Sequence, residues 1–265
     1  MKQTINGQML KSMVLSAAKY LDINRASVDA LNVFPVPDGD TGTNMSLTLQ
    51  SAAKELANVR SNKTADVAEA VSKGALRGAR GNSGVILSQI LRGICQVLKE
   101  QEEIDVKTFA QALKTGAEVA YGAVSQPKEG TILTVIRMVA DCALAVRRKY
   151  SEFEDFFKEL IEAGDSAVEI TPTLLPVLKK AGVVDAGGKG LMCVLVGMQK
   201  ALLGEAITGE VSFAIPESTS NDGNLEHMDI LSLGKIEFAY CTEFSLSTSI
   251  KRPRWRTSKG LKNIF

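Results

Sequence analysis

Apolar residues recur every three or four positions through most of this chain, up to about Leu203. One such stripe consists of Met9, Leu10, Met13, Val14, Ala17 and Leu21. A second, stronger stripe consists of Ile86, Leu87, Ile90, Leu91, Ile94 and Leu98. Helix breakers separate the stripes, at Gln126-Pro127, Thr171-Pro172, Gly182 and Gly187-Gly188. Because strand-type alternation is scarce here, the pattern predicts an all-α domain of about eight helices over residues 1–205.

The helical periodicity of apolar residues ends after Gly204. We expect a linker over residues 206–235, which includes a polar run from Pro216 to Asn224. Alternation from Ile236 to Tyr240 then predicts one strand, which needs partners in order to be stable. The favoured interpretation of residues 236–265 is an incomplete, β-containing start of a second domain, with a nucleic-acid or membrane arm as the alternative for its basic tail.

Charge and cysteine content narrow the class of protein. The net charge is +1, but the last sixteen residues carry six positive charges and no acid, so the remainder stands at −5. That mildly acidic body does not suggest a nucleic-acid partner. No apolar run is long enough to span a bilayer, and the start of the chain does not resemble a signal peptide. The four cysteines show no Cys-x-x-Cys spacing, so we expect free thiols and a cytoplasmic location.

The segment from Asn32 to Met45 carries the strongest chemical signal. Its two prolines forbid a helix, and its glycines let the backbone turn close to a ligand. Asp38 and Asp40 can then aim at one point, as a hard cation such as Mg²⁺ requires. A helical stripe begins directly afterwards, so the loop should open into a helix N-terminus that favours anions. The alternative is an ordinary Asx-rich turn.

Three further glycine-rich loops precede helical stripes. Gly78–Gly84 offers bare amides and the Ser83 hydroxyl as a phosphate cradle, with tight helix packing as the alternative. Glu129–Thr134 contains Thr131, a candidate helix cap. Val184–Gly190 could close over a base or ribose, or could be a flexible turn. In an antiparallel bundle alternate loops gather at one end, so these loops could form one rim.

Other catalytic motifs are missing from the sequence. Neither Walker A nor Rossmann spacing occurs, and no Ser-His-Asp, Cys-His or zinc-ligand set can be assembled. The lone His227 falls in the predicted linker, where a solvated side chain is the simpler interpretation.

These four loops, in this order, resemble the ATP-binding domain of bacterial fatty acid kinases. That domain belongs to the DhaL family, the nucleotide-binding part of dihydroxyacetone kinases. The resemblance covers roughly residues 1–205. It implies an eight-helix antiparallel barrel that holds ATP or ADP, with two Mg²⁺ ions, in the loops at one end.

The resemblance also implies roles for individual residues. Asp38 and Asp40 match the metal-binding aspartates on which catalysis depends. Asn32 stands near the place of a further acidic ligand and could substitute for it. Nucleotide-contacting positions are matched by Thr41, Gly42, Thr43, Asn44, Ser83, Gly84, Thr131, Ile132, Asp185, Ala186 and Gly187.

One departure from the family pattern bears on the phosphoryl acceptor. Dihydroxyacetone kinases typically have His after the second Asp, whereas this chain has Thr41. A fatty acid carboxylate, with a pKa of roughly 4, is already ionised and needs no general base. The expected reaction is therefore transfer of the γ-phosphoryl group of ATP to a fatty acid, giving an acyl phosphate.

The resemblance further implies a partner, a DegV-like protein that presents the fatty acid. Residues 238–244 resemble the start of a middle domain of the kinase, with Cys241 at a position that could bind zinc, and the similarity ends near Ser245. Two alternatives stay open: a subunit of a dihydroxyacetone (glycerone) kinase, and a nucleotide binder without turnover. A homodimer also stays open.

Overall fold

A computed structural model describes residues 2–207 of the chain. The strand predicted at residues 236–240, the linker beyond residue 207, His227 and the basic tail lie outside this range, so they remain predictions.

Helices account for most of the described chain. They are α1 (Gly7–Asp29), α2 (Thr41–Ala57), α3 (Thr64–Arg77), α4 (Gly81–Leu98), α5 (Val106–Ala123), α6 (Ile132–Val146), α7 (Phe153–Leu174), α8 (Pro176–Ala181) and α9 (Ala186–Leu203). Eight of these helices are long, and α8 is a six-residue turn of helix. The all-α prediction is therefore confirmed, with eight long helices as expected.

The eight long helices form a closed ring. Each packs against the next along the chain, from α1 through α7 to α9, and α9 returns to pack on α1. Short connections reverse the chain each time, so the ring alternates in direction. Apolar side chains from every long helix fill its interior in one continuous core. No helix in residues 2–207 is both long and apolar enough to cross a membrane.

A short two-stranded ribbon closes one end of the ring. Strands β1 (Thr4–Ile5) and β2 (Ile104–Asp105) pair antiparallel, with Ile5 opposite Ile104. Both isoleucines are fully buried. Beside them lies an aromatic cluster of Phe109, Phe153, Phe156 and Phe157. We call this end of the molecule the ribbon end; the opposite end, where α2, α4, α6 and α9 begin, is the loop end.

The predicted helix break at Thr171-Pro172 is wrong. Pro172 lies inside α7, which continues to Leu174. A proline there leaves the carbonyl of Val168 without its helical amide donor. The hydroxyl of Thr171 donates to that carbonyl at 2.6 Å, which satisfies it and lets the helix continue.

Candidate functional site

All four glycine-rich loops meet at the loop end, around one cavity of about 830 Å³. This volume lies in the range of small-molecule and cofactor sites. Two stretches supply most of its lining, residues 32–44 and residues 123–133. The rim that the alternating helices predicted is therefore present.

Four helices point their N-termini into this cavity. The lining includes first-turn residues of α2, α4, α6 and α9, among them Thr41, Ser83, Ile132 and Gly187. Helix N-termini present unpaired amides and a partial positive charge. Four of them around one cavity favour an anionic ligand.

The four N-termini differ in how they are capped. Thr131 caps α6 through a bond from the amide of Leu133, and Asp185 caps α9 through one from the amide of Gly188 at 2.7 Å. Neither Asp40 nor Arg80, the cap residues of α2 and α4, accepts a hydrogen bond from a backbone amide of its helix. In the first turn of α2, however, the Thr43 amide donates to Asp29. The start of α4 is thus the more open anion site, with the start of α2 beside it.

Asp38 and Asp40 both line the cavity beside the start of α2. Burial raises the pKa of Asp40 above its ordinary value, and the negative charges of Asp38 and Asp29 raise it further, while a hydrogen bond with Asn44 opposes them. Two carboxylates that repel each other in this way favour a bound cation.

Asn32 holds the Asp loop in shape. Its side-chain amide donates to the carbonyl of Val36 at 2.6 Å and to Asp38 Oδ1 at 3.2 Å, and its oxygen accepts from the Thr41 hydroxyl. The amide oxygen that would face a metal is therefore already engaged. As a metal ligand Asn32 stays a prediction; as a support for Asp38 it is visible in the structure.

Residues 2–207 contain no cluster of three or more His, Cys, Asp and Glu side chains placed to hold a metal. Two carboxylates are nevertheless enough for Mg²⁺, which usually keeps several waters and binds protein through one or two carboxylates plus phosphate oxygens. The donor set of Asp38 and Asp40 fits that ion when a phosphate ligand is present.

Asp185 ties two of the cavity walls together. Its carboxylate accepts from the amide of Gly188 in α9 and also interacts with the backbone of Ile132 in α6. Its own amide donates to the hydroxyl of Thr171 at 3.0 Å. Burial raises the pKa of Asp185 to about 6, although both backbone contacts act to lower it.

The structure brings most of the predicted site residues to the cavity. Those that line it are Asn32, Asp38, Asp40, Thr41, Asn44, Ser83, Thr131, Ile132, Asp185 and Gly187.

Four predicted nucleotide contacts lie away from the cavity, in packing positions. A Cβ on Gly42 would meet the carbonyl oxygen of Arg25 at 2.3 Å, and one on Gly84 would meet Thr48 Oγ1 at 2.3 Å. The backbone and hydroxyl of Thr43 both donate to Asp29. Ala186 is buried.

Two features of the site were not predicted. Asp29, at the end of α1, anchors the first turn of α2 through Thr43. The stretch from Ala123 to Lys128 forms a cavity wall, and Lys128 is the one cationic side chain among the described lining residues. The only sequence signal in this wall was the helix breaker Gln126-Pro127, which predicts a break between helices and not a cavity wall.

Comparison with known proteins places these features in context. Residues 35–200 match the DAK2 domain family. An uncharacterized protein of Staphylococcus epidermidis is 46% identical over 239 residues, covering 90% of this chain and 43% of that protein. Protein YloV of Bacillus subtilis is 42% identical over 242 residues, covering 91% of this chain and 44% of that protein. The chain therefore spans less than half the length of these relatives.

Among solved structures, the dihydroxyacetone kinase of C. freundii in complex with AMP-PNP and Mg²⁺ matches with a TM-score of 0.55. The match covers 73% of this chain and 34% of that chain, at 17% sequence identity. The native form of that enzyme matches with a TM-score of 0.53. At this identity the likeness establishes a shared all-α fold.

Proposed function

This chain belongs to the DAK2 domain family, and on that premise we propose that it is the Mg-ATP-binding domain of a fatty acid kinase. In this proposal the domain holds ATP in the cavity at the loop end. The γ-phosphoryl group passes to a fatty acid carboxylate, and the products are an acyl phosphate and ADP.

One observation carries the proposal: a carboxylate pair lies beside two helix N-termini that their own cap residues leave open. The amides of α2 and α4 suit phosphate oxygens, whereas Asp38 and Asp40 suit a divalent cation. Phosphate and cation together are the ligands of a nucleotide kinase site. The Mg²⁺ complex of AMP-PNP in the C. freundii enzyme, which shares the fold, supports this assignment.

Asp38 and Asp40 are the residues that would hold Mg²⁺, and two ions are proposed from the family resemblance. The ion, when bound, neutralises charge on the phosphates. Asn32 keeps Asp38 in place, since its amide hydrogen bonds reach both that carboxylate and the loop backbone. Ser83, whose hydroxyl donates to the Thr41 carbonyl at 3.3 Å, holds the starts of α4 and α2 together at the phosphate end.

The acceptor is proposed from the chemistry of Thr41. Its hydroxyl is buried and donates to Asn32, so it is not placed as a base. No histidine occurs in residues 2–207. A carboxylate acceptor needs no base: its oxygen forms the new bond to phosphorus while the bond to the ADP oxygen breaks. The work of the protein is then positioning and charge stabilisation.

The remaining parts of the proposal concern the whole protein. The relatives are more than twice as long as the matched region, so docking of a DegV-like carrier is proposed for the longer protein. A nucleotide domain at residues 1–205, a linker and the start of a middle domain at 236–265 are proposed from the sequence. A cytoplasmic location agrees with the free thiols of Cys95, Cys142 and Cys193.

Nucleotide binding is the first test. Calorimetry on the purified chain should show ATP binding that depends on Mg²⁺, and Asp38→Ala should weaken it at least about 100-fold, the upper effect of losing a metal's supporting contacts. Asp66→Ala is the matched control, because Asp66 is an exposed acid at the ribbon end. Equal binding by Asp38→Ala and wild type would refute the metal assignment.

Turnover is the second test. The chain is incubated with ATP, labelled oleate and a DegV-type carrier, and acyl phosphate is trapped with hydroxylamine as an acyl hydroxamate. Labelled hydroxamate that forms only with ATP supports the proposal. Transfer to dihydroxyacetone instead would favour the glycerone kinase alternative, and tight ATP binding without either product would favour a binder without turnover.

A further inference from the structure

A cluster of charged and hydroxyl side chains lies beside the cavity wall formed by residues 123–128. Glu129 is at its centre. It accepts from the Tyr121 hydroxyl at 2.8 Å, from the Thr134 hydroxyl at 2.6 Å and from Arg137 Nη2 at 2.9 Å. Arg137 also donates from Nε to the Tyr121 oxygen at 3.3 Å. We call Tyr121, Glu129, Thr134 and Arg137 the wall clamp; none of the four lines the cavity.

The wall depends on this clamp because its own backbone is poorly tethered. Among residues 2–207, no backbone-to-backbone hydrogen bond involves residues 125–130. The amide of Gly130 donates to the Thr134 hydroxyl at 2.8 Å, and Thr131 Oγ1 donates to the carbonyl of Lys128. Side chains therefore replace the ladder that would hold a helix or strand.

The clamp also fixes a demanding backbone conformation. Gly130 has a φ of +82°, which side-chain-bearing residues rarely adopt. A Cβ there would meet Leu175 Cβ at 2.8 Å and the carbonyl oxygen of Thr171 at 2.9 Å. The turn is thus pressed between the clamp on one side and the end of α7 on the other. This contact defines where Thr131 and Ile132 enter the cavity.

The geometry points to Glu129 and Arg137 as positioning residues that set nucleotide affinity by fixing the cavity wall, without touching the nucleotide. This inference rests on the proposed nucleotide site. Three interactions converge on one partly exposed carboxylate, so breaking the cluster should loosen the wall while leaving the core packed. A loose wall must be ordered again on binding, and this ordering weakens affinity.

The chain contains a matched control at the other end of α6. There Glu159 accepts from the Tyr150 hydroxyl at 2.5 Å and from Lys149 Nζ at 3.2 Å. This second cluster has the same three chemical parts, tyrosine, glutamate and cation. None of its members lines the cavity, and within residues 2–207 its side-chain hydrogen bonds join only its own three members.

The experiment compares variants of the full chain at the two clusters. Glu129→Ala should weaken Mg-ATP binding on the order of tenfold, the effect of losing a hydrogen bond to a charged group. Glu129→Gln, which keeps one acceptor oxygen and can donate its amide to the other hydroxyl, should lose less. The double variant Glu129→Gln/Arg137→Gln should lose less affinity than the sum of the losses of Glu129→Gln and Arg137→Gln, because the two residues form one cluster. Glu159→Ala should leave binding unchanged.

A second measurement reports the clamp without any nucleotide. Hydrogen exchange at the Gly130 amide should speed up in Glu129→Ala and in the milder Tyr121→Phe, at unchanged melting temperature. If wild type binds Mg-ATP and Glu129→Ala binds equally well, or if Glu159→Ala weakens binding as much, the inference is refuted while the nucleotide site stands. If wild type itself fails to bind, the proposed function fails first.

Discussion

The two ends of this helical ring are built from similar parts and use them for opposite purposes. Each end has two capped helix starts: Asn6 and Asp105 accept from the amides of Met9 and Thr108 at the ribbon end, and Thr131 and Asp185 cap α6 and α9 at the loop end. The starts of α2 and α4, where Asp40 and Arg80 make no such bond, line the cavity at the loop end. Apolar rings fill one end, and like charges lie together at the other. The difference teaches that stability and binding are separated along the helix axes.

The largest expected effect tests the ribbon end as the source of stability. Phe109 is fully buried and packs edge-to-face on Phe153, with ring centroids 5.8 Å apart. Phe109→Ala should lower the free energy of unfolding by about 3–5 kcal/mol, through lost burial and a cavity. Urea unfolding measures this change.

If stability and binding are separate, the Phe109→Ala substitution should lower stability without changing nucleotide binding. Mg-ATP affinity of the folded Phe109→Ala protein, measured well below its unfolding midpoint, should equal that of wild type. Impaired Mg-ATP binding by the folded Phe109→Ala protein would show that the two ends are not separate.

The next effect concerns a charge that the loop end keeps buried. Because burial raises the pKa of Asp185 from 3.8 to about 6, the folded protein takes up a proton more readily than the unfolded chain. The resulting stabilisation is complete below about pH 4 and is lost as the pH rises through 6. Asp185→Asn keeps an acceptor for the Gly188 amide and removes this titration.

The predicted readout is a difference between two proteins. The free energy of unfolding of wild type minus that of Asp185→Asn should fall by on the order of 1–3 kcal/mol between pH 4 and pH 6.5, then stay level. Urea unfolding across this range measures it. A difference that is constant with pH would show that the Asp185 carboxylate titrates normally.

Sequence reasoning worked well where a pattern is local and failed where a contact is distant. The stripes Met9–Leu21 and Ile86–Leu98 predicted helices because burial on one helix face leaves a period in the sequence. Alternation of direction then brought the four loops together. The pairing of Ile5 with Ile104 has no such trace, since each strand is two residues long and its partner lies far along the chain.

At the site, the sequence identified the carboxylates better than the glycines. Asp38 and Asp40 stand out because paired carboxylates in a glycine loop have few structural uses. Gly42 and Gly84 look equally functional in sequence, yet both make room for a neighbouring helix. In the sequence, a glycine that makes room for a ligand cannot be told from one that makes room for a neighbouring backbone. The break expected at Pro172 failed similarly, because Thr171 supplied the missing donor.

The smallest effect applies one substitution to a cap residue at each end. Asp105→Ala removes the bond from the Thr108 amide and should lower the free energy of unfolding by ~1 kcal/mol, the usual value of a helix cap. Asp40→Ala removes no bond from a helix amide, only the one with the Asn44 side chain. Because burial and the charges of Asp38 and Asp29 disfavour the ionised Asp40, its removal should raise stability by up to ~0.5 kcal/mol without Mg²⁺.

The two substitutions should affect Mg-ATP binding in the opposite order. Asp105→Ala should bind Mg-ATP like wild type, whereas Asp40→Ala should lose binding and, with it, the stabilisation that Mg-ATP gives to a folded binder. Thermal melts with and without Mg-ATP measure both quantities in one experiment. If Asp40→Ala is destabilised without ligand as much as Asp105→Ala, then Asp40 supports the fold. Its carboxylate would then have a structural role, and the cation-binding role proposed for it would be contradicted.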